Sequence, residues 1–457
     1  MKPFLRCTAL ALLVGSMRPE AAQAQISWTY VSTPWARYGF GVPALMTLRA
    51  PAQGVVWGIR PYNLPGGPGN SVWAYQLFTS SDNGQTVQQS EVASSNDGGT
   101  GAGGSNVIDL WATDAQHVWV VTQGTVSGAR TLLRSTTGST ALAALPAAAT
   151  PATLRTVRFF NATAGVAIAD AGAATTWPIF RTVDGGTTWQ PIANTPAAAA
   201  GEVATDVALL GPNLWATSNR GNVLRSTDSG QTWSIQATGL TNLQSASFTD
   251  ALHGLAYDRL PTQLAVTADG GLTWALVTPS GPMRRCAIQA LLDVPGAYLS
   301  VGPGSYQVPN DPSGTAISTD NGATWRSLET FSFHRGLAVW NSANIWAGGD
   351  YGWAASGSSI INFLVRSTGT LLATRTGQLA QHKLAVYPNP TAGPATVAAA
   401  TPGQKLKVYN AIGQVQFQQE MPTAVAPIDL SNLPAGIYQV VTEGKLGRQA
   451  ARLTVVR

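Results

Sequence analysis

The side chains able to carry chemistry follow one arrangement along the 457 residues. Five aspartates, Asp82, Asp184, Asp228, Asp269 and Asp320, occupy the third position of an eight-residue pattern, Ser/Thr-x-Asp-x-Gly-x-Thr-Trp. Cation binding of the EF-hand kind draws its oxygens from one short loop. These aspartates are far apart in sequence and build no such loop, so they read as turn residues. Glycosidic hydrolysis needs a pair of carboxylates about 5–10 Å apart. Between residues 25 and 382 the glutamates are Glu91, Glu202 and Glu329, and Glu91 and Glu329 follow copies of the pattern, where peripheral strands are expected. His117 and His253 recur in the same Asp-x-x-His turn, as Asp114-Ala115-Gln116-His117 and Asp250-Ala251-Leu252-His253. Without a His-x-x-His spacing they are repeat residues, and no metal or cofactor is expected. The Gly-rich run Asp97 to Gly104 lacks the Gly-Lys-Ser/Thr ending of a phosphate loop and reads as an insertion.

The elements that position these residues are set by the repeat. The pattern is intact at Thr182 to Trp189, Ser226 to Trp233, Thr267 to Trp274 and Ser318 to Trp325; Ser80 to Val87 lacks only its Trp, and Ser135 to Thr140 is decayed. First positions are 55, 47, 44, 41 and 51 residues apart, the length of a four-stranded propeller blade. In a tight turn Asp accepts backbone N–H bonds, Gly supplies positive φ, and Trp189, Trp233, Trp274 or Trp325 opens the next strand. A bulky pair brackets a second turn in each unit, from Leu48 and Trp57 through Trp111 and Trp119 to Trp340 and Trp346, which makes seven units. Ser27 to Thr33 reads like the strand after a box, as in Thr232 to Thr238, and would complete the last blade. The expected fold is all-β: a seven-bladed β-propeller over residues 25–375, with six blades as the alternative, then a linker at 376–382 and a small antiparallel β-sandwich at 383–457.

Hydrophobic residues make up 44% of the chain and charged residues 11%, with 48 Gly, 28 Pro and 15 Trp. Disordered chains carry high net charge and few aromatics, so this is a packed, turn-rich protein. Lys2 and Arg6 precede the apolar run Ala9 to Val14, and Ala22-Gln23-Ala24 offers small residues where a signal peptidase reads. Residues 1–24 are therefore expected to be a signal peptide. The apolar run is far short of the roughly 20 residues that span a bilayer, so no transmembrane span is expected. Cys7 would leave with the signal, and the remaining Cys286 is expected to be a buried, inert thiol. The formal charge of +5 divides unevenly, with +4 from residue 383 onward and −1 over residues 25–382, which contain no lysine. Nucleic-acid binding, which needs a basic patch, is excluded for this body.

The eight-residue pattern resembles the Asp-box (BNR) repeat of sialidase-like propellers and of photosystem-assembly-factor-like propellers. That resemblance implies a structural turn at the blade periphery. A sialidase-like site would add an arginine cluster, a tyrosine nucleophile with a glutamate partner, and an aspartic acid. Arg60-Pro61 after Ile59 echoes one sialidase element in the wrong order, and Tyr257 and Tyr298 have no glutamate near them in sequence.

After Gly377 Trp disappears and short alternating segments take over. Val386-Tyr387-Pro388-Asn389-Pro390, Val408-Tyr409-Asn410-Ala411-Ile412-Gly413-Gln414 and Ile428 to Tyr438 closely resemble the type A sorting domain of the type IX secretion system. The resemblance implies export across the outer membrane, with the secretion machinery as partner of residues 383–457 and a secreted or cell-surface location.

The function expected is a non-catalytic glycan- or protein-binding module. The alternatives are a sialidase-like glycoside hydrolase and an envelope assembly factor. Aromatic and arginine residues outside the repeating columns are the candidate ligand contacts: Trp35, Arg37, Tyr38, Tyr62, Trp177, Arg284, Arg285, Tyr306, Tyr351 and Trp353.

Overall fold

The computed structural model describes residues 26–33, 47–65, 71–94, 104–147, 150–258, 262–305, 311–330, 334–351, 361–368, 371, 384–387, 389–398, 404–410, 414–421, 425–444 and 447–456, and every element named among them is a β-strand. The chain divides into two compact units, Gln25–Leu371 and a second whose described residues run from Leu384 to Val456.

The first unit opens with β1 (Ser27–Tyr30), and the described strands that follow fall into seven sheets. Sheet 1 holds β2 (Thr47–Ala52), β3 (Val55–Pro65), β4 (Ser71–Ser80) and β5 (Gln88–Ser94). Sheet 2 holds β6 (Ser105–Ala112), β7 (Val118–Gly124), β8 (Arg130–Ser135) and β9 (Ala143–Ala144). Sheet 3 holds β10 (Leu154–Phe159), β11 (Gly165–Ala169), β12 (Ile179–Thr182) and β13 (Gln190–Pro191). Sheet 4 holds β14 (Ala204–Leu210), β15 (Asn213–Ser218), β16 (Asn222–Ser226) and β17 (Ser234–Ala237). Sheet 5 holds β18 (Leu243–Phe248), β19 (Gly254–Asp258), β20 (Leu264–Thr267) and β21 (Ala275–Val277). Sheet 6 holds β22 (Ala287–Ala290), β23 (Tyr298–Ser305), β24 (Asp311–Ser318) and β25 (Arg326–Glu329). Sheet 7 holds β26 (His334–Asn341), β27 (Asn344–Tyr351) and β28 (Ile361–Thr368), and its fourth strand is β1. Each first strand lies against the next, and β26 lies against β2, so the sheets form a closed ring. This is the architecture of a β-propeller.

Second strands are covered on both faces by neighbouring sheets, which is why β11, Gly-Val-Ala-Ile-Ala, is apolar and buried throughout rather than alternating. Closure follows the reading of the N-terminal strand: Trp28 lies opposite Ser367 and Tyr30 opposite Val365 in an antiparallel ladder. Val31 extends that junction, donating its N–H to Leu364 O at 2.9 Å and packing with Leu48, Phe78 and Trp346 from sheets 1 and 7.

The repeated turn is a self-contained knot. In the copy at Thr267, the Thr267 hydroxyl donates to Asp269 Oδ1 at 2.8 Å and accepts from Gly271 N at 2.8 Å. Thr273 then donates its N–H to Asp269 Oδ1 at 2.9 Å and its hydroxyl to Oδ2 at 2.6 Å. The copies at Asp82, Asp184, Asp228 and Asp320 repeat the hydroxyl bond to the carboxylate. Two successive positive φ angles shape the turn, 75° at Gly270 and 90° at Gly271. Ser229 and Asn321 accept the first of these, but the second is always Gly, because a Cβ on Gly271 would press on the Trp215 ring at 3.3 Å. The decayed copy has Thr137 for Asp; it keeps the bond from Gly138 N to Gln116 O, 3.0 Å, and a long contact of 3.5 Å between the Ser135 and Thr137 hydroxyls.

Each turn also locks onto the preceding sheet. Trp119 of sheet 2 donates Nε1–H to Gly185 O of sheet 3 at 3.0 Å and stacks on Phe159 at 3.8 Å. Trp215 of sheet 4 does the same with Gly270 O at 2.7 Å and Phe248 at 3.6 Å. The Trp residues of the turns lie at the rim of these clusters, with Trp189 edge-on to Phe159 and Trp274 edge-on to Phe248; Trp325 alone among them is fully buried, and Trp233 is half-buried.

The second unit contains β29 (Ala385–Tyr387), β30 (Pro394–Ala398), β31 (Gln404–Tyr409), β32 (Val415–Met421), β33 (Val425–Asp429), β34 (Gly436–Gly444) and β35 (Gly447–Val455). They form a three-stranded sheet, β29-β30-β33, and a four-stranded sheet, β32-β31-β34-β35. Val397, Leu406, Val408, Val440 and Leu453 from both sheets share one core.

Two outcomes are expected. Deleting residues 26–31 should leave the outer edge of β28 unpaired and lower the melting temperature by roughly 5–10 °C, the equivalent of about 3 kcal/mol of lost pairing and burial; an unchanged melting temperature refutes the closure role. The Thr86 hydroxyl brings the Asp82 carboxyl down to about 2, and the Thr273 hydroxyl does the same for Asp269, to about 2. Depressed acids stabilise fully above their ordinary pKa of about 3.9 and lose that contribution as pH falls toward about 2. Denaturation titrations should therefore show stability dropping between about pH 4 and pH 2, with a shallower drop in a D82N/D269N variant.

Candidate functional site

The ring encloses a channel of about 630 Å³, running from Thr47, Gln244, Cys286 and Arg335 at the start of the first strands to Pro51, Thr113, Leu292 and Trp340 at their ends. First strands pair with a second strand on one edge only, so their other edge carries polar backbone groups that no strand meets. Side chains from the preceding sheet supply the partners. Asp109 Oδ2 accepts from Val157 N at 2.9 Å, and Arg158 Nε donates to Val207 O at 2.7 Å. Gln244 donates to Cys286 O at 3.1 Å, and Tyr257 accepts from Ile288 N at 3.0 Å. Gln289 clamps sheet 7, donating to Leu337 O at 2.8 Å and accepting from Val339 N at 3.0 Å.

At the centre of this stitching lies an ion cluster. Arg158, whose side chain is 2% exposed, reaches Asp109 Oδ2 at 2.9 Å and Asp206 Oδ1 at 2.7 Å. Thr156 donates to Asp109 at 2.8 Å and Ser245 to Asp206 at 2.6 Å. Arg49 lies 3.9 Å from Asp206, and both guanidinium groups approach the face of Trp111, at 5.7 Å for Arg49 and 4.7 Å for Arg158. Burial works against the Asp206 carboxylate, but Arg158 and Arg49, together with hydrogen bonds from Ser245 and Val207 N, hold its pKa below the usual range. Burial, reinforced by Arg158, lowers the Arg49 pKa. Two arginines and two aspartates leave the cluster neutral, which is what a half-dry channel demands.

The arrangement contains both an arginine pair and a carboxylate pair, but neither carboxylate is free for acid or base work, since each already accepts from Arg158 and from a hydroxyl. No glutamate lines the channel among the described residues. Glu202 is buried just ahead of β14 and accepts from Ser218 at 2.6 Å, Asn222 at 2.9 Å and Ala199 N at 3.0 Å. Glu91 and Glu329 sit on the fourth strands β5 and β25. Burial raises the Tyr257 and Tyr298 hydroxyls well above their ordinary pKa, the reverse of an activated nucleophile. His117 and His253 each bond the aspartate of their own turn at 2.9 Å. Among the described residues no cluster of His, Cys, Asp and Glu could hold a metal ion.

The expected contact residues divide. Trp177 and Arg284 are corrections, because both are fully buried. Trp177 belongs to the core shared by sheets 3 and 4, and Arg284 donates to Pro282 O at 2.8 Å and Ser327 at 2.9 Å, so each is an internal part rather than a surface anchor. Arg285 is half-buried ahead of β22, and Tyr62 and Tyr351 lie on β3 and β27. Trp35, Arg37, Tyr38, Tyr306 and Trp353 lie outside the described residues. Cys286 is half-buried in the channel wall, its thiol 3.2 Å from Arg335 O, rather than sealed in a core. Sequence reasoning missed Arg49, Asp109, Trp111, Arg158, Asp206, Ser245, Gln244, Gln289 and Arg335. Their common signal is a polar or aromatic residue on the first strand of a unit, close to the bulky residue that ends it.

A propeller ring joined in one chain to a separate small β-unit is the class of protein defined by this fold. The family model described as secretion system C-terminal sorting domain matches residues 385–456. The chain is accordingly exported by type IX secretion, and the protein is secreted or held at the cell surface. The sequence matches no curated protein. Among solved structures, YCF48 from Cyanidioschyzon merolae is 15% identical, covering 75% of this chain and 98% of that one, with a TM-score of 0.47. PorZ, described as a surface component of the type-IX secretion system of Porphyromonas gingivalis, is 16% identical, covering 90% of this chain and 59% of its own, with a TM-score of 0.44. The GH74 xyloglucanase from Xanthomonas campestris is 12% identical over 94% of this chain and 74% of its own, with a TM-score of 0.46.

Replacing Arg158 tests the cluster. Arg158→Met leaves Asp109 and Asp206 without their shared cation and should cost on the order of 3–5 kcal/mol in urea denaturation. Val183→Ser, at an exposed site, should cost nothing measurable; equal midpoints for the two variants would show that the cluster does not hold the ring.

Proposed function

We propose that this protein is a secreted, non-catalytic binding module: a seven-bladed β-propeller with structural Asp-box turns, preceded by a cleaved signal peptide and followed by a β-sandwich sorting domain. The carrying observation is the commitment of both channel carboxylates to Arg158. An acid held ionised by two arginines cannot deliver a proton at neutral pH, and Asp109, the other carboxylate among the described channel residues, is bonded to the same Arg158. The hydrolase alternative therefore loses the acid that it needs. The channel and the face where the first strands begin form the concave, mixed polar and aromatic surface on which a ligand would settle, with a glycan or a protein as ligand class.

The positive charge of the C-terminal unit and the absence of any repeat shared with the propeller fit an address rather than a working part. A chain ending near residue 377 should fold, keep the ligand binding of the parent, and stop in the periplasm of a host that exports the full chain. Cell fractionation with a parallel glycan-array and glycosidase screen decides between the readings. A truncated chain found in the medium would sink the sorting role, and turnover of any glycan by the full chain would sink the non-catalytic one.

A further inference from the structure

The two ends of the channel differ in kind. Where the first strands begin, Thr47, Gln244 and Arg335 line it, and the ion cluster lies just inside. At the other end every turn from a first to a second strand is among the described residues. Phe160, Leu210, Leu292 and Trp340 line the channel there, and Leu292 and Trp340 are exposed, at 46% and 38%. The polar side chains of this half are already engaged in the wall. Trp111 donates its Nε1–H to Phe159 O at 2.9 Å, Ser247 accepts from Ala290 N at 2.8 Å, and the Gln289 amide is bonded at both ends to sheet 7. This half therefore offers a ligand apolar surface and few groups to bond.

The ion cluster is unevenly paired. Arg158 uses all three guanidinium nitrogens, on Val207 O, Asp109 and Asp206. Arg49 is left short: Nη1 donates to Leu48 O at 3.1 Å, Nη2 stands 3.9 Å from Asp206, and Nε, shut away from solvent, meets no partner. The Asp206 carboxylate beside it is committed to Arg158 at 2.7 Å and to Ser245 at 2.6 Å. With Arg335, the described channel holds three arginines against two aspartates. A guanidinium held in a half-dry channel favours an anion that can accept two N–H bonds side by side, and a carboxylate has that shape. From Asp109, in the cluster, to Thr113, at the rim, the chain covers about 13 Å at ~3.3 Å per residue, a length filled by an alkyl chain of about ten carbons. Methylene groups need no hydrogen bonds along that stretch, whereas sugar hydroxyls and peptide groups do.

We propose that the channel binds a medium-chain alkyl carboxylate, with the carboxylate on Arg49 and the chain running past Trp111 to the apolar rim at Leu292 and Trp340. This rests on the channel being a ligand site, as in the binding-module reading, and adds a ligand class beyond glycan and protein. The full-length chain would be titrated by calorimetry with hexanoate, octanoate, decanoate, dodecanoate and tetradecanoate below their micelle concentrations, beside decyltrimethylammonium and decanol. Arg49→Gln, Arg49→Lys and Trp340→Ser would be compared with Val126→Ser, an exposed position between β7 and β8.

The expected affinity for carboxylates rises about two- to fourfold with each added methylene and levels off once the chain reaches the rim, at about ten carbons. Arg49→Gln should weaken decanoate binding about tenfold or more, and Arg49→Lys should keep most of it. Trp340→Ser should flatten the rise for the longer chains, and Val126→Ser should change nothing. Should Arg49→Gln fail to fold, the levelling with chain length and the preference for decanoate over decyltrimethylammonium and decanol still decide. No binding of any carboxylate, equal binding of the cation or the alcohol, or a decanoate affinity indifferent to Arg49→Gln would overturn the site. A bound glycan or protein without any bound carboxylate would leave the binding-module reading standing and remove this site. Carboxylate binding in a chain that also hydrolysed a glycan would sink the non-catalytic reading and leave the site in place.

Discussion

Sheets set around an axis leave each first strand with one unpaired edge facing the channel, and the rest of the structure depends on how those edges are satisfied. A buried N–H or C=O without a partner costs about as much as a lost hydrogen bond, and the ring repeats the problem at every sheet. Neighbouring first strands are too divergent to pair as a sheet, so side chains reach across instead: Asp109 to Val157, Arg158 to Val207, Gln244 to Cys286 and Gln289 to Leu337 and Val339. Each reaches from one sheet to the next in chain order, which gives the inner ring its direction. Arg158 carries the heaviest share, because it joins sheets 2, 3 and 4 through Asp109, its own strand and Asp206.

The same demand explains why paired polar side chains fill the channel. Carboxylates brought this far inside must be paired, and the pairing that stabilises them also removes them from proton transfer. At the outside of the ring the repeated turn solves the complementary problem. Its aspartate ties up the turn's own N–H and hydroxyl groups, and its glycines let the preceding sheet's Trp119 or Trp215 approach a bare carbonyl. Inner stitches and outer locks together hold each sheet at two radii.

Closure adds a separate constraint. A ring built from one chain has to join its ends, and here an early strand completes a late sheet, so that Trp28 and Ser367 are partners. The join is reinforced at the next boundary, where Arg366 donates to Asn83 Oδ1 at 2.9 Å and Gly84 sits against Val31 and Trp346.

Much of this was legible in the sequence, for local reasons. The eight-residue pattern encodes a turn whose hydrogen bonds are nearly all internal, so spacing alone located Asp82, Asp184, Asp228, Asp269 and Asp320 and the sheets between them. Trp28 announced its pairing because it repeats the local context of Trp233, and the alternating segments after residue 383 announced β29, β31, β32, β34 and β35, although β30 and β33 went unread. The channel was not legible. Asp109, Arg158 and Asp206 are 49 and 48 residues apart and belong to no shared motif, and only the curvature of the ring brings both carboxylates within 3 Å of Arg158. The same holds for Trp177 and Arg284, whose residue types suit a surface contact but whose burial is decided by the neighbouring sheet. The sequence determined the turns, the strands and the export address because those are written in contiguous residues; the tertiary structure alone decided which polar groups meet, because that depends on the angle between sheets.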